Sequence, residues 1–144
     1  MSSSSSDQTV HVSLGDRSYD ITIVTGQLPA FAERLQGWLA ARGLKNPAGR
    51  PVLVVTDGNV CHQHGAAVGA SLHLAGFPCE IAVLEPGEQT KSLTYASELY
   101  DKLVAMEADR QTVLVAVGGG VIGDLAGFVA ATYARGIPFV QVPT

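Results

Sequence analysis

Charge is what this sequence has least of. Asp, Glu, Lys and Arg make up 15% of its 144 residues, where soluble domains usually carry about 25%. The 9 basic and 13 acidic side chains leave a formal charge of −4 with histidine neutral. No basic cluster interrupts that balance, which argues against nucleic acid or an anionic membrane as the main partner. Long hydrophobic runs are missing too: the longest uncharged stretch, 58–79, holds Asn59, Gln63 and the histidines His62, His64 and His73, and is too polar to cross a bilayer as a helix. Cysteine is limited to Cys61 and Cys79, which gives no disulfide framework. Met1 to Ser6 has neither the basic nor the apolar region of a secretory signal. Cytoplasm is the expected compartment, with one domain built on one core.

Apolar residues reach 47% and glycine 16 of 144. A surface this short of charge belongs either to an unusually compact domain or to one covered by something outside the chain. The glycine content, above the usual ~7%, points to tight turns.

Residues 1–9, with the serine run Ser2 to Ser6, are expected to form a flexible tail, and 10–144 the folded domain. Val10, Val12 and Leu14 alternate, Gly15-Asp16-Arg17 reverses the chain, and Ile21 and Ile23 resume the pattern, so a β-hairpin opens the domain. Phe31, Leu35, Trp38 and Leu39 recur at helical spacing up to Gly43 and Pro47. Pro51 to Val55 reads as a strand buried on both faces. Asp57-Gly58-Asn59 leads into a helix with Val68, Leu72 and Ala75 inward and Gly76 as its cap. The unit recurs: a strand from Glu80 to Leu84, then a helix capped by Ser92 with Leu93, Ala96, Tyr100 and Leu103 on one face. A third strand, Thr112 to Val117, meets Gly118-Gly119-Gly120 and a helix from about Ile122 to Ala134, and Phe139 to Val142 forms a last strand. This alternation predicts an α/β, Rossmann-like fold: a mainly parallel sheet with helices on both faces.

Its strongest chemical signal is VLVAVGGGVIGD at Val113 to Asp124, a strand, a glycine run and a helix start. Glycines let a backbone approach a ligand closely, and the free N–H groups of a helix N-terminus attract phosphate. The run departs from GxGxxG and lacks the acidic residue expected about 20 positions on, so a phosphate loop and a plain strand-to-helix crossing both remain open. Asp57 with Asn59 either accepts from ribose hydroxyls or forms an Asx turn, the second being favoured. Glu88 and Lys91 in PGEQTK stand either at a ribose and phosphate or in a solvated loop. Cys61 and His64 lack a second pair of metal ligands and read as helix packing, while His11, His62 and His73 read as solvated. Arg135 reads as the cation at a helix C-terminus.

The run GGGVIGDLAGFVAATYARGIPFVQVPT at Gly118 to Thr144 closely resembles the 3-dehydroquinate synthase family, and PGEQTK at Pro86 to Lys91 and TDGNV at Thr56 to Val60 support it. The resemblance implies a sugar-phosphate cyclase of the shikimate pathway. Such an enzyme binds NAD⁺ in an N-terminal α/β domain and zinc or cobalt in a helical C-terminal domain, and turns 3-deoxy-arabino-heptulosonate 7-phosphate into 3-dehydroquinate with loss of phosphate. It further implies that Asp57 and Asn59 meet the adenosine half of NAD, Glu88 and Lys91 its ribose and phosphates, and Gly119, Gly120 and Val121 its pyrophosphate. Asp124 would hold the nicotinamide side, Thr144 would also touch the cofactor, and Arg135 would reach an anion of the sugar phosphate in a partner subunit's site of a homodimer. No metal ligands and no catalytic residues are assigned here, and the chain alone is expected to be inactive, with the metal-binding domain absent. An inosose or valiolone cyclase, a glycerol-dehydrogenase-like oxidoreductase and a non-catalytic nucleotide-binding module are the alternatives.

Overall fold

The computed structural model describes residues 7–144; the serine run lies outside them. The boundary placed after residue 9 is corrected, because strand β1 (Gln8–Val12) already includes Gln8 and Thr9. These two pair with Ile23 and Thr22 of β2 (Tyr19–Ile23) across a short 3-10 turn at Gly15–Arg17. Backbone pairing recruits polar residues that hydrophobic alternation cannot flag. On one face of the hairpin Val10, Tyr19, Ile21 and Ile23 stay exposed. His11 lies on the other face, also exposed, with Nδ1 2.6 Å from Asp20 Oδ1.

Helix α1 (Phe31–Ala41) buries Phe31, Ala32, Leu35 and Leu39. Gly43, at φ +70°, ends it by letting the Leu44 N–H return to the Leu39 carbonyl. Four parallel strands follow: β3 (Val52–Asp57), β4 (Cys79–Leu84), β5 (Val113–Gly118) and β6 (Phe139–Pro143), in the order β4-β3-β5-β6. β3 and β5 occupy the centre, and their valine-rich runs are buried on both faces. Helix α2 (Ala66–Leu74) carries the chain from β3 outward to β4, α3 (Leu93–Ala105) brings it back over β3 to β5, and α4 (Gly120–Thr132) carries it on to β6. A constant crossover hand then requires α2 on one face and α3 and α4 on the other. The two apolar clusters have that division: Val52, Val54, Val113 and Val115 pack with α1 and α2, and Leu53, Val55, Leu114 and Ala116 with α3 and α4.

Leu93 departs from the face expected of it. Ala96, Leu99 and Leu103 make the buried stripe of α3, while Leu93 is 78% exposed. It is the first residue of the helix, beside Ser92, whose Oγ accepts the Tyr95 N–H at 3.4 Å, and it borders an open cleft with Ala96, Leu125 and Phe128. The last helix also ends earlier than its pattern suggests. α4 stops at Thr132, and Ala134 and Arg135 take positive φ in a 3-10 turn.

The central strand β3 contains one unmet polar group. Thr56 is fully buried and its hydroxyl has no hydrogen-bond partner among the described residues. Valine has the same shape without that cost, so Thr56→Val is expected to stabilise the fold by about 1–2 kcal/mol. Chemical denaturation checks this, and an unchanged or lowered midpoint would mean that the hydroxyl is satisfied.

Candidate functional site

Because all four strands of the sheet are parallel, their carboxyl ends share one edge. The connections leave β3 and β5 in opposite directions, and a crevice opens at that reversal in such sheets. It falls between the ends of the two strands. Asp57 closes β3, and its Oδ1 accepts the N–H groups of Asn59 at 2.8 Å and Val60 at 3.3 Å. The Asx turn is therefore formed, and it fixes the start of the following π-helical turn, Cys61–Gly65. Next to it the loop after β4 is tied to itself: the Thr90 hydroxyl donates to the Glu85 carbonyl at 2.5 Å, and the Gln89 amide to the Pro86 carbonyl at 3.0 Å. Glu88 and Lys91 project from that pinned loop into solvent.

The glycine run forms the third loop. Gly118 is buried under Ile122, whose Cβ would stand 3.1 Å from any Cβ at 118. Gly119 and Gly120 differ. Both are exposed, Gly119 has the ordinary extended values φ −83° and ψ −164°, and a Cβ at either position would meet nothing within 4 Å. The fold has no steric need for glycine at these two positions. Gly119 is the N-cap of α4 without a side-chain cap, so the first N–H groups of the helix are free to bind an anion. A cavity of about 320 Å³ opens there, bordered by Gly118, Gly119, Gly120, Gly123, Asp124, Gln141 and Thr144. Thr144 is held at its rim by its N–H to the Gly118 carbonyl at 3.2 Å.

Lys91 and Asp124, 33 positions apart in the chain, meet here: Lys91 Nζ lies 2.9 Å from Asp124 Oδ2 and 3.7 Å from Glu88 Oε2. The hydrogen bond to Asp124, then the charges of Asp124 and Glu88, raise the lysine pKa above its usual value. The ammonium is thus held charged beside Asp124, which borders the cavity. Asp57, Asn59, Glu88, Lys91, Gly119, Gly120, Asp124 and Thr144 all lie on this edge, with half-buried Val121 in the first turn of α4.

Arg135 is elsewhere. It follows the far end of the 13-residue α4, about 20 Å from the glycine turn at 1.5 Å per residue. Sequence reasoning passed over Gly123 and Gln141. Gln141 shares a β6 face with Phe139, and the period of two would have revealed this once one inward residue of that strand was known.

Among the described residues no three His, Cys, Asp or Glu side chains gather as a metal site would need, so no metal chemistry is derived from them. Cys61 and His64 are half-buried in the π-helical turn. Cys79, where burial and then the Glu80 charge push the thiol pKa up to about 11, is expected to stay protonated at neutral pH. In a Cys61→Ala chain, its alkylation rate by iodoacetamide should begin to climb steeply only above pH about 9 and level off near the raised pKa. A plateau near pH 8 would contradict this environment.

The family description "3-dehydroquinate synthase N-terminal" matches residues 81–144. The 3-dehydroquinate synthase of Caulobacter vibrioides is 44% identical over 137 residues, 95% of this chain and 35% of that protein. The chain belongs to the 3-dehydroquinate synthase family, as its N-terminal part. It spans about a third of the length of the curated relatives it matches. In solved structures the fold recurs in 2-deoxy-scyllo-inosose synthase, with TM-score 0.77 and 24% identity over 95% of this chain and 36% of that one. It recurs also in the 2-epi-5-epi-valiolone synthase of Streptomyces hygroscopicus subsp. jinggangensis with NAD⁺ and Zn²⁺ bound, with TM-score 0.71 and 27% identity over 92% of this chain and 34% of that one.

Proposed function

We propose that this chain is the NAD⁺-binding domain of a 3-dehydroquinate synthase. The observation that carries the reading is the pair Gly119 and Gly120, where a Cβ would meet only open space and the missing side chains leave a cradle above the first turn of a helix. In it the backbone N–H groups of Gly119, Gly120 and Val121 receive the pyrophosphate. Asp57 and Asn59 meet the adenosine half, Glu88 and Lys91 the ribose and phosphates, Asp124 the nicotinamide side, and Thr144 closes the rim. When bound, NAD⁺ supplies reversible hydride acceptance from a ring carbon of the sugar. The chain's own residues bind and orient it, and Lys91 brings the positive charge.

In the whole protein the reaction is conversion of 3-deoxy-arabino-heptulosonate 7-phosphate to 3-dehydroquinate with elimination of phosphate, a lyase step of aromatic amino acid biosynthesis in the cytoplasm. The zinc or cobalt ion is held by residues outside this chain. The 44% identity to a named 3-dehydroquinate synthase, against 27% to the valiolone synthase, supports this substrate over those of the related cyclases. Arg135, at the edge of the sheet away from the cradle, suits a role toward an anion of the sugar phosphate in the partner subunit of a homodimer.

Calorimetric titration of the chain with NAD⁺ tests the cofactor reading, and absence of binding at millimolar concentration would sink it. Phosphate release from the heptulosonate, with NAD⁺ and zinc or cobalt, tests the division of labour. The chain alone is expected to show none above the blank.

A further inference from the structure

Facing β6 and α4 carry a matched pair of small and long residues. A Cβ on Gly127 would stand 3.3 Å from the Phe139 ring, and one on Gly123 would stand 3.1 Å from Gln141 Nε2. Phe139 fills its space as core. Gln141 is exposed, and its carboxamide lies along the first turn of α4 in the wall of the glycine-lined cavity. In that wall Asp124 is engaged by Lys91 and the Thr144 N–H by the Gly118 carbonyl, while the first N–H groups of α4 are free. Among the described residues the Gln141 side chain has no such partner. It is also uncharged, so it adds hydrogen-bond donors beside the Lys91–Asp124 pair without competing for either member.

We propose that Gln141 is a further cofactor-positioning residue, whose side-chain NH₂ donates to the diphosphate of a dinucleotide seated on Gly119 and Gly120, and that Gly123 lacks a side chain to leave this amide room to turn. The inference rests on the nucleotide reading given above.

Titration of the ¹⁵N-labelled chain with ADP-ribose, which carries the diphosphate, and with AMP, which does not, tests it. The Gln141 side-chain NH₂ signals, assigned by their loss in Gln141→Leu, are expected to shift saturably together with the Gly119 and Gly120 amides. Gln141→Leu should weaken ADP-ribose binding about tenfold and leave AMP binding within twofold. Gln141→Glu should weaken ADP-ribose binding further, by an amount that shrinks with salt. Gly123→Ala, placed in a helix, should raise the melting temperature and still weaken ADP-ribose binding. Equal ADP-ribose affinity in the unaltered, Leu and Glu chains would overturn the inference alone, as would equal losses for AMP and ADP-ribose. If the unaltered chain shows no shift at Gly119 and Gly120 with ADP-ribose, the nucleotide reading falls and takes this inference with it.

Discussion

Gly119→Val is expected to lower NAD⁺ affinity by more than about 100-fold, some 2.7 kcal/mol, while the protein stays folded. Position 119 already has extended backbone angles that valine adopts readily, and its Cβ would meet no atom of the chain within 4 Å. Valine is a poorer N-cap than glycine, which costs the fold about 1 kcal/mol or less. Its branched side chain would occupy the cradle above the first N–H groups of α4, where a pyrophosphate must sit. Gly118→Val is the internal contrast, because there the Cβ is driven to 3.1 Å from Ile122 and the damage should fall on the melting temperature. Circular dichroism and calorimetry on the two variants separate these effects. Near-native NAD⁺ affinity in Gly119→Val would return the glycine run to a plain crossing.

This contrast also locates the boundary of what the sequence made legible. Alternating apolar runs and glycine stops were enough for the order of elements and for a parallel sheet, since a central parallel strand such as 113–117 has to be apolar on both faces. The glycine run was visible as well, but its letters do not distinguish Gly118, which Ile122 requires, from Gly119, which the chain leaves free. That distinction depends on tertiary neighbours. The Lys91–Asp124 pair was illegible for the same reason: it joins two loops through a strand order, β4-β3-β5-β6, that local patterning does not encode. Leu93 shows the opposite failure. Its spacing is that of a buried stripe, yet at the first turn of the helix it stays exposed, and spacing alone does not tell which turns are covered.

Lys91→Glu should be the most damaging single change among the charged residues. Lys91 is the cation between Glu88 and Asp124, and reversing it sets three carboxylates together where one of them, Asp124, borders the cavity proposed to hold two phosphates. The loss of a charged hydrogen bond alone costs about 1.5–3 kcal/mol of binding, and the added repulsion should bring the fall in NAD⁺ affinity to about 100-fold or more. Stability should change little, because the pair is solvent-exposed. Since repulsion among exposed charges is screened over about 8–10 Å near physiological ionic strength, part of the lost affinity should return with added salt. In the unaltered chain Asp124 raises the lysine pKa. The pair's contribution to stability is therefore fully present below the ordinary lysine value of about 10.4 and is lost as pH rises through the higher folded value. As far as Lys91 is concerned, NAD⁺ affinity should be level between roughly pH 7 and 9. Calorimetry on the Lys91→Glu chain at low and high salt decides the matter: affinity within threefold of the unaltered chain at low salt would make Lys91 a solvated loop residue whose pairing with Asp124 serves only to hold the loop after β4 against α4.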